Sequence, residues 1–473
     1  MKIHPLYLNG EFVTTDRHFP VRNPATTDII AEMSAIERPR LKQAIEDAHA
    51  AFAGWRALTA KARGEFLHKI AHELERRRDE IARTITLEAG KPLAQSLGEL
   101  AMTCDHLHWF AEEARRGYGR VIPHQTDGKR NLVVKTPIGV VGAIAPWNFP
   151  LVLGVRKAAP AMAAGCPVLL KPASYAPLCN VAFAEACHAT GLPKGVFQLV
   201  AGSAAEIAAE FLENLLLRKI SFTGSTEAGR SLIAGAAAHI KPLSLELGGL
   251  NPVLVFDDAD LEKAVEGVMV AKFRNTGQSC IAANRIYVQR GLYDRFVQRL
   301  VERTSALKVG DGLEPDVQIG PMIDEKAVHK ALEHIADAVQ RGAQVLCGGK
   351  RLERPGWFLE ATVLAGVPKE SLCLSEETFA PVAAVAPFET EAEVIAEANA
   401  APFGLAAYAF TRDLSRAFRL MEQIEAGMLA INDGLPTTTN APFGGVKQSG
   451  WGRELGSEGL DAFLETKHVS VGL

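Results

Sequence analysis

Several features that mark common protein classes are missing from this chain of 473 residues. Its seven cysteines form no C-x-x-C pair, so no zinc site or redox dithiol of that pattern is predicted. The longest uncharged apolar run, Ala158 to Leu170, is interrupted by prolines and a glycine and is shorter than the ~20 residues of a membrane-spanning helix. Met1 to Gly10 lacks the pattern of a secretory signal. We therefore expect a protein of the reducing cytoplasm with no membrane partner.

Concentrated positive charge and the usual dinucleotide-binding glycine pattern are also missing. The formal net charge is -4, and Lys and Arg are spread along the chain. Without a basic block to neutralise a phosphate backbone, nucleic acid is not expected as a partner. No G-x-G-x-x-G segment occurs, so a standard Rossmann phosphate loop is not supported. A single core stops growing at about 250–300 residues, so the length of the chain predicts more than one domain.

Two kinds of periodicity are present. Apolar residues recur every three or four positions over Pro39 to Ala53, Ala60 to Glu88 and Ala94 to Arg116, which predicts amphipathic surface helices. From Arg120 onward, short apolar strands alternate with helices in two series separated by Gly248-Gly249, which predicts doubly wound parallel α/β sheets. The predicted strands are Asn131 to Lys135, Gly139 to Ala145, Val168 to Leu170, Val196 to Val200, Lys219 to Thr223, Val253 to Phe256, Arg285 to Gln289 and Val345-Leu346. The predicted helices are Val181 to Thr190, Ala204 to Glu213, Ser225 to Ala238, Leu261 to Phe273, Tyr293 to Lys308 and Lys326 to Arg341.

Two motifs follow predicted strands, where open α/β sheets place their sites. In Pro146-Trp147-Asn148-Phe149-Pro150, the Asn148 amide can donate a hydrogen bond to a developing oxyanion. The alternative is a proline-bounded turn in which Asn148 caps the next helix. In Phe222-Thr223-Gly224-Ser225, Ser225 and the free amides of the next helix can hold a cofactor phosphate. An ordinary helix cap at Ser225 is the alternative.

Two further residues are candidates for catalysis. Glu246 precedes Leu247-Gly248-Gly249, and a half-buried carboxylate there can have a raised pKa suited to a general base; a solvated surface group is the alternative. Cys280 ends the turn-forming run Asn275 to Ser279, where exposure near backbone amides would stabilise a thiolate. The alternative is a small buried side chain, which we expect for most of the other cysteines.

Together and in this order, these motifs resemble the aldehyde dehydrogenase superfamily over nearly the whole chain. The resemblance also includes Glu376-Glu377-Thr378-Phe379-Ala380-Pro381 and Pro442-Phe443-Gly444-Gly445. It implies a Rossmann-type cofactor domain, an α/β catalytic domain and a small β oligomerisation element. The implied boundaries are 1–119 and 137–248 for the cofactor domain, 249–445 for the catalytic domain, and 120–136 with 459–473 for the oligomerisation element. The pattern of Val469 to Val471 predicts an edge strand. Because an unpaired edge can pair with another sheet, a homodimer or homotetramer is expected.

The resemblance implies a catalytic role for four residues. Cys280 attacks the aldehyde, while the Asn148 side chain and the Cys280 amide hold the oxyanion of the thiohemiacetal. Glu246 activates water against the thioester, and Lys157 relays protons. Because relatives that transfer the acyl group to coenzyme A usually lack this carboxylate, Glu246 favours hydrolysis.

The resemblance also implies a nicotinamide cofactor. Lys171 and Ser174 would lie at the adenosine ribose and Ser225 at the pyrophosphate. Relatives restricted to NAD commonly have Glu where this chain has Ser174, so NADP should be accepted as well as NAD. The complete set of expected cofactor-binding residues is Trp147, Lys171, Ser174, Thr223, Gly224, Ser225, Leu247, Glu377 and Phe379.

Within the superfamily, Lys272 to Cys280 and Val255 to Asp260 resemble the succinate-semialdehyde dehydrogenases. Arg156 and Arg274 match arginines that bind the distal carboxylate of the substrate in that group, and two guanidinium groups suit an anionic substrate. The alternative is that both are surface or salt-bridge residues. The other expected substrate-binding residues are Thr438, where the group has Ser, and Phe443.

Two departures from that group affect these expectations. The substrate loop Pro436-Thr437-Thr438-Thr439 is unusual, so glutarate semialdehyde or another small anionic aldehyde is an alternative substrate. Ala282 replaces the second cysteine of a redox pair found in some relatives, so that disulfide is not expected. A catalytically silent binding protein is a third hypothesis, against which the intact set Asn148, Glu246 and Cys280 argues.

Overall fold

The computed structural model describes residues 1–473, in which strands and helices alternate. The strands are β1 (Ile3–His4), β2 (Leu6–Leu8), β3 (Glu11–Val13), β4 (His18–Arg22), β5 (Ile29–Ser34), β6 (Arg120–Ile122), β7 (Lys129–Pro137), β8 (Val140–Ile144), β9 (Val168–Lys171), β10 (Phe197–Leu199), β11 (Leu217–Thr223), β12 (Leu243–Glu246), β13 (Asn251–Val255), β14 (Ala283–Gln289), β15 (Gln344–Cys347), β16 (Thr362–Ala365), β17 (Val382–Phe388), β18 (Phe403–Gly404), β19 (Ala406–Phe410), β20 (Met428–Ile431), β21 (Val446–Lys447), β22 (Gly450–Trp451) and β23 (Leu464–Gly472).

Seven of the fifteen helices begin at a residue whose side chain caps the first turn. The helices are α1 (Arg38–Ala57), α2 (Ala60–Arg76), α3 (Arg78–Ala89), α4 (Leu93–Glu113), α5 (Pro150–Ala164), α6 (Leu178–Ala189), α7 (Ala204–Glu213), α8 (Thr226–Ala236), α9 (Leu261–Phe273), α10 (Arg290–Ser305), α11 (Glu325–Gln340), α12 (Leu372–Ser375), α13 (Glu391–Asn399), α14 (Leu414–Gln423) and α15 (Gly456–Asp461). Ser203, Ser225, Asp260 and Asp324 each accept a hydrogen bond from a backbone N–H of the first turn of their helix, which satisfies one of its free donors.

The first large sheet has eight strands in the order β22-β12-β11-β8-β9-β10-β2-β3. Strands β8 to β12 run parallel. The chain places β9 and β10 on one side of β8 and then returns to place β11 and β12 on the other. This reversal makes a switch point between β8 and β11, and ligands of doubly wound sheets bind beyond the carboxyl ends of the strands at such a point.

The second large sheet has seven strands in the order β15-β16-β17-β14-β13-β19-β20. All of its neighbouring strands are parallel except β15 and β16. Gly248, Cys280 and Phe379 lie in the segments that lead into β13, β14 and β17, and they lie beside Asn148. The second sheet therefore presents the amino ends of its strands to the first sheet.

A continuous core of 95 buried residues includes strands of both large sheets, so the two pack as one body. A separate antiparallel sheet, in the order β23-β7-β6, joins the last strand to the segment before β8. As predicted, Val469 to Val471 lies in an edge strand, because β23 pairs only with β7. No helix is long and apolar enough to cross a membrane.

Two predicted helices differ from the structure, and helices α5 and α12 to α15 were not predicted. The predicted helix Ala60 to Glu88 is interrupted at Arg77, whose backbone is not helical and whose guanidinium pairs with Glu185 of α6. Helix α4 is not only a surface helix, since it buries Glu99, Thr103 and His106. Helix α5 was not predicted because all of its residues are buried, which removes the amphipathic periodicity.

Candidate active site

The carboxyl edge of the eight-stranded sheet brings three predicted residues together. Asn148 follows β8, Ser225 follows β11, and Glu246 is the last residue of β12. Because β11 is hydrogen-bonded to both β8 and β12, the loops that leave these strands are neighbours. Residues far apart in sequence therefore meet at the switch point.

Asn148 is buried and does not cap α5. The cap position is Phe149, and no side chain accepts a hydrogen bond there, so the alternative of a capping Asn148 is wrong. Its Nδ2 donates to the Gln278 carbonyl over 3.1 Å, in the loop before Cys280, and its Oδ1 has no partner. The Asn148 amide thus points toward the loop that carries the thiol.

Cys280 is held at the end of an unusual turn. Asn275, Thr276 and Gly277 all have left-handed backbone conformations, with φ of 51°, 58° and 71°. Gly277 is required because a Cβ atom there would lie 2.2 Å from the carbonyl oxygen of Ala380. The turn brings the chain back from the end of α9 and places Cys280 three residues before β14.

The thiol of Cys280 lies in a less polar environment than predicted. Burial, reinforced by the negative charge of Glu377, raises its pKa to about 12, and Arg156 opposes this shift. The predicted exposure of Cys280 is found in part, because the residue is only partly buried and lines two pockets. The predicted stabilisation of the thiolate is not found, because desolvation favours the neutral thiol. Of the other cysteines, five are buried and Cys347 is partly buried.

Glu246 is only 3% exposed, so the alternative of a solvated surface group is wrong. Burial raises its pKa well above the usual value, the negative charge of Glu454 adds to the shift, and Lys157 opposes it. The Oε2 atom has no hydrogen-bond partner. Gly444 leaves the space that the carboxylate occupies, since a Cβ atom there would lie 2.6 Å from Oε1 of Glu246.

A buried polar cluster lies near this carboxylate and is not hydrogen-bonded to it. The Lys157 ammonium donates to the Glu454 carboxylate and, over 2.6 Å, to Oγ1 of Thr223. Sequence reasoning missed Glu454, which follows the short strand β22 in a segment assigned to no domain. Because β22 pairs with β12, Glu454 lies near Glu246 despite their distance in sequence. The available signal was a charged Arg453-Glu454 pair after a glycine.

Two pockets meet at Cys280, which lines both of them. The larger has a volume of about 220 Å³. It contains seven of the predicted cofactor residues: Trp147, Thr223, Gly224, Ser225, Leu247, Glu377 and Phe379. Asn148 and Gly248 also line it. Trp147 and Phe379 meet edge to face with their ring centroids 5.7 Å apart.

The remaining two predicted cofactor residues lie outside the larger pocket. Lys171 ends β9, which neighbours β8 in the sheet, and burial lowers its pKa to about 8. Ser174 is exposed in the turn that follows. Ser225 uses its hydroxyl as a helix cap, accepting from the Ala228 N–H over 3.3 Å, so the alternative of an ordinary cap is confirmed, and Ser225 also lines the larger pocket.

The smaller pocket, of about 30 Å³, contains both predicted arginines. The Arg156 guanidinium lies 4.6 Å from the ring centroid of Phe443, and its Nε has no hydrogen-bond partner. The Arg274 guanidinium lies 4.9 Å from the ring centroid of Phe149. Its Nη2 contacts the sulfur of Met102 over 3.8 Å. Burial lowers the pKa of both groups.

Neither arginine pairs with a carboxylate of the chain, so the alternative of salt-bridge residues is wrong. Their donors remain available within an otherwise mostly apolar pocket. Thr438 does not line the pocket, since it is exposed and its hydroxyl donates to Asn440 over 2.9 Å. Its neighbour Thr437 lines the wall instead, with an Oγ1 that has no partner. The structure therefore does not place Thr438 at this pocket, and its role in substrate binding stays a prediction.

A protein family, several curated relatives and several solved structures are similar to this chain. The model of the aldehyde dehydrogenase family matches residues 12–469. The chain is 50% identical over 469 residues to the succinate-semialdehyde dehydrogenase of Escherichia coli whose name specifies NADP(+), covering 98% of this chain and 97% of the relative. It is also 50% identical over 468 residues to the glutarate-semialdehyde dehydrogenase of Pseudomonas aeruginosa, with the same coverage. The crystal structure of succinate-semialdehyde dehydrogenase from Burkholderia pseudomallei is similar, with a TM-score of 0.98, 44% identity, and coverage of 99% of this chain and 98% of that one.

Proposed function

Because the chain belongs to the aldehyde dehydrogenase family, we propose that it oxidises a small anionic aldehyde to a carboxylic acid with NADP or NAD. Succinate semialdehyde is the substrate that we propose, with succinate as the product. One observation carries this choice: two guanidinium groups without carboxylate partners share a pocket with Cys280. In succinate semialdehyde bound to Cys280, the distal carboxylate lies four atoms from the sulfur. It gives the two guanidinium groups the counter-charge that the chain itself does not provide.

Cys280 and Asn148 perform the first step in this proposal. The thiol releases its proton to solvent, and its sulfur bonds to the aldehyde carbon as the carbonyl π bond opens to the oxyanion of a thiohemiacetal. The Asn148 amide exchanges its hydrogen bond to Gln278 for one to the new oxyanion, together with the Cys280 amide. When bound, the nicotinamide cofactor supplies the acceptor for the two electrons that leave the substrate carbon.

Glu246 performs the second step. It takes a proton from the water molecule that attacks the thioester, which releases the acid and restores the thiol. Lys157 is the proton relay in this proposal: with Glu454 it forms a buried ion pair whose charges act on Glu246 without a hydrogen bond to it. The raised pKa of Glu246 makes the carboxylate a stronger base than a solvated one.

The residues around the larger pocket suit a dinucleotide. Gly224 and Gly248 carry no side chain that would fill the space, and the first turn of α8 presents free backbone amides for a pyrophosphate. Glu377 and Phe379 would hold the nicotinamide ribose and ring. Ser174 brings no negative charge to the adenosine ribose, and Lys171 can serve as counter-ion, so we propose that the 2′-phosphate of NADP is accepted.

A panel of aldehydes tests this function directly. The purified protein is mixed with NADP or NAD and with succinate semialdehyde, glutarate semialdehyde or butanal, and the absorbance of the reduced cofactor is followed. We expect the highest kcat/KM with succinate semialdehyde and a far lower value with butanal. A preference for butanal would overturn the anionic substrate while leaving aldehyde oxidation standing.

Glutarate semialdehyde is the second candidate substrate. The supporting observation is that the relative named for it is as similar to this chain as the relative named for succinate semialdehyde. The two differ by one methylene group, which a pocket of this kind separates by roughly 10–200-fold at most. The ratio of their kcat/KM values in the panel decides between them.

We further propose that copies of this chain associate through β23. Its outer edge has no neighbour, and an unpaired edge favours pairing with another sheet. Light scattering should then give the mass of a dimer or a tetramer, and a monomer would overturn the proposal. The seven free cysteines support a location in the reducing cytoplasm. In this scheme the segments 1–119 and 137–248 bind the cofactor, 249–445 carries the thiol, and 120–136 with 459–473 joins the subunits.

A further inference from the structure

A buried ion pair lies behind the loop that carries Asn148. The side chains of Lys91 and Glu99 are both 0% exposed, and the Lys91 ammonium donates to the Glu99 carboxylate. Lys91 precedes α4, and Glu99 lies within it. Removing two charges from water is costly and is often not recovered by their mutual attraction. Stability alone is therefore a poor explanation for this pair.

Both members use their remaining polar atoms on the start of α5. The Lys91 ammonium donates to the carbonyl oxygen of Asn148 over 2.7 Å. Oε1 of Glu99 accepts the backbone N–H groups of Leu151 over 2.9 Å and Val152 over 3.2 Å. The pair thus fixes the Asn148 backbone from one side and the first turn of the following helix from the other.

The same carbonyl is also bound by the loop that carries Cys280. Nδ2 of Asn275 donates to the Asn148 carbonyl and to the Gln278 carbonyl, both over 2.9 Å. Lys91 and Asn275 therefore hold one carbonyl between them, and this carbonyl belongs to the residue whose side chain faces the thiol loop. A shift of that backbone would move the Asn148 amide relative to Cys280.

We propose that Lys91, with Glu99 as its counter-ion, is a positioning residue for Asn148. It acts on the formation of the thiohemiacetal by holding the Asn148 amide where the oxyanion develops, and it does not touch the substrate. This inference rests on the proposed role of Asn148 as an oxyanion donor. Loss of such a donor typically slows a reaction by roughly 100–1,000-fold, and a misplaced donor loses part of that effect.

A second buried carboxylate offers a matched control. Glu88 is 0% exposed and accepts the backbone N–H groups of Leu178 and Cys179, over 2.6 and 2.8 Å, at the start of α6. It caps its helix as Glu99 caps α5, but α6 carries none of the site residues. If Glu99 and Lys91 mattered only for folding, changes at Glu88 and at this pair would have equivalent effects.

The test compares Lys91→Met with Glu88→Gln, Asn148→Ala and the Lys91→Met/Asn148→Ala double variant. The rate of the first turnover is measured by stopped-flow absorbance of the reduced cofactor, and Tm is measured for each protein. We expect Lys91→Met to slow the first turnover by about tenfold or more with little change in the KM for the cofactor. Glu88→Gln should lower Tm without slowing that step. The double variant should be no slower than Asn148→Ala, because Lys91 acts through Asn148.

Three results would overturn the proposal. They are a wild-type first turnover in Lys91→Met, equal losses of rate in Lys91→Met and Glu88→Gln, and losses that multiply in the double variant. Failure of the underlying function is distinguishable, because Asn148→Ala itself would then show a wild-type first turnover. Should Lys91→Met not fold, Glu99→Gln replaces it: the amide oxygen still caps α5 while the counter-charge is lost, and a slower first turnover is again expected.

Discussion

The two large sheets contribute to the site from opposite ends of their strands. In the eight-stranded sheet, Asn148, Ser225 and Glu246 lie at the carboxyl ends of parallel strands. In the seven-stranded sheet, Cys280 and Phe379 lie in the segments that enter the amino ends. The rule that ligands bind beyond the carboxyl ends of strands therefore accounts for only one half of the site.

This difference between the two sheets determines which chemical groups each one can bring to the site. Strand β8 leads to Asn148, whose side-chain amide suits an oxyanion. Strand β11 leads to the amino end of α8, whose free N–H groups suit a phosphate. The thiol loop is instead reached from the carboxyl end of α9, which carries partial negative charge and does not stabilise a thiolate. We infer that the second sheet supplies the nucleophile and the first supplies the groups that stabilise and hydrolyse its adduct.

Removing the nucleophile should have the largest effect. Cys280→Ser leaves the larger pocket intact but replaces the covalent nucleophile, so turnover should be abolished while the cofactor still binds. Reduced cofactor is followed by absorbance, and cofactor binding by calorimetry. Measurable steady turnover in Cys280→Ser would contradict the assignment of the nucleophile to the seven-stranded sheet.

Replacing Glu246, the proposed general base, tests the contribution of the eight-stranded sheet. Glu246→Gln should leave the first turnover and slow the steady state by roughly 100-fold, because only hydrolysis of the thioester needs the base. Stopped-flow absorbance should show a burst of reduced cofactor equal to the number of active sites. A variant with neither a burst nor a loss of rate would remove Glu246 from the mechanism.

The two arginines come from opposite halves of the site, and removing one should affect anionic substrates selectively. Loss of a partner from a buried charge pair costs roughly 2–5 kcal/mol. Arg274→Ala should therefore lower kcat/KM for succinate semialdehyde by about 30-fold or more, at about 1.4 kcal/mol per tenfold change. Butanal is the control, since it has no carboxylate for Arg274 to bind and its kcat/KM should change little. Equal losses for both substrates would indicate damage to Cys280 rather than lost recognition.

The reaction rate should depend on pH, because the two reacting groups, Cys280 and Glu246, have pKa values raised by burial. Burial raises the pKa of the Cys280 thiol to about 12 and raises that of Glu246 well above its usual value. The reactive forms are the deprotonated ones, so they become more populated as pH rises. The rate should increase by up to about tenfold per pH unit from the acid side, since one deprotonation gives that limit. A rate that is flat or that falls between pH 6 and pH 8 would contradict this reading.

The smallest expected effect concerns the choice of cofactor. Ser174→Glu places a carboxylate where the 2′-phosphate of NADP is proposed to lie, and repulsion between charges near a protein surface is worth about 1 kcal/mol or more. We expect kcat/KM for NADP to fall by about fivefold or more relative to that for NAD. Equal changes for both cofactors would place the adenosine ribose elsewhere.

Local sequence patterns predicted much of the fold. The helices Ala204–Glu213 and Leu261–Phe273 begin and end where the periodicity and their polar caps place them. Helix α5 was missed because burial on all sides removes its periodicity, and the break at Arg77 depends on an ion pair with a distant helix. Strands β17, β19 and β20 were not predicted from the pattern.

The candidate site was predictable because several short motifs, each with an ordinary structural alternative, together resemble one family. Asn148, Glu246 and Cys280 stand in distinctive short segments, and the structure brings them together. Glu454 and Lys91 were missed because their importance arises from tertiary pairing, which no local pattern records. The raised pKa of Cys280 was not predicted either, since the desolvation and the Glu377 charge that raise it come from tertiary packing.

The most direct test of the account is whether an acyl group accumulates on Cys280 when Glu246 is disabled. Glu246→Gln is incubated with succinate semialdehyde and NADP, quenched in acid and digested, and the peptides are analysed by mass spectrometry. The account predicts one succinyl thioester per chain, on Cys280, that hydroxylamine removes and that does not form without cofactor. An unmodified Cys280 after the first turnover, or an acyl group on another cysteine, would contradict it.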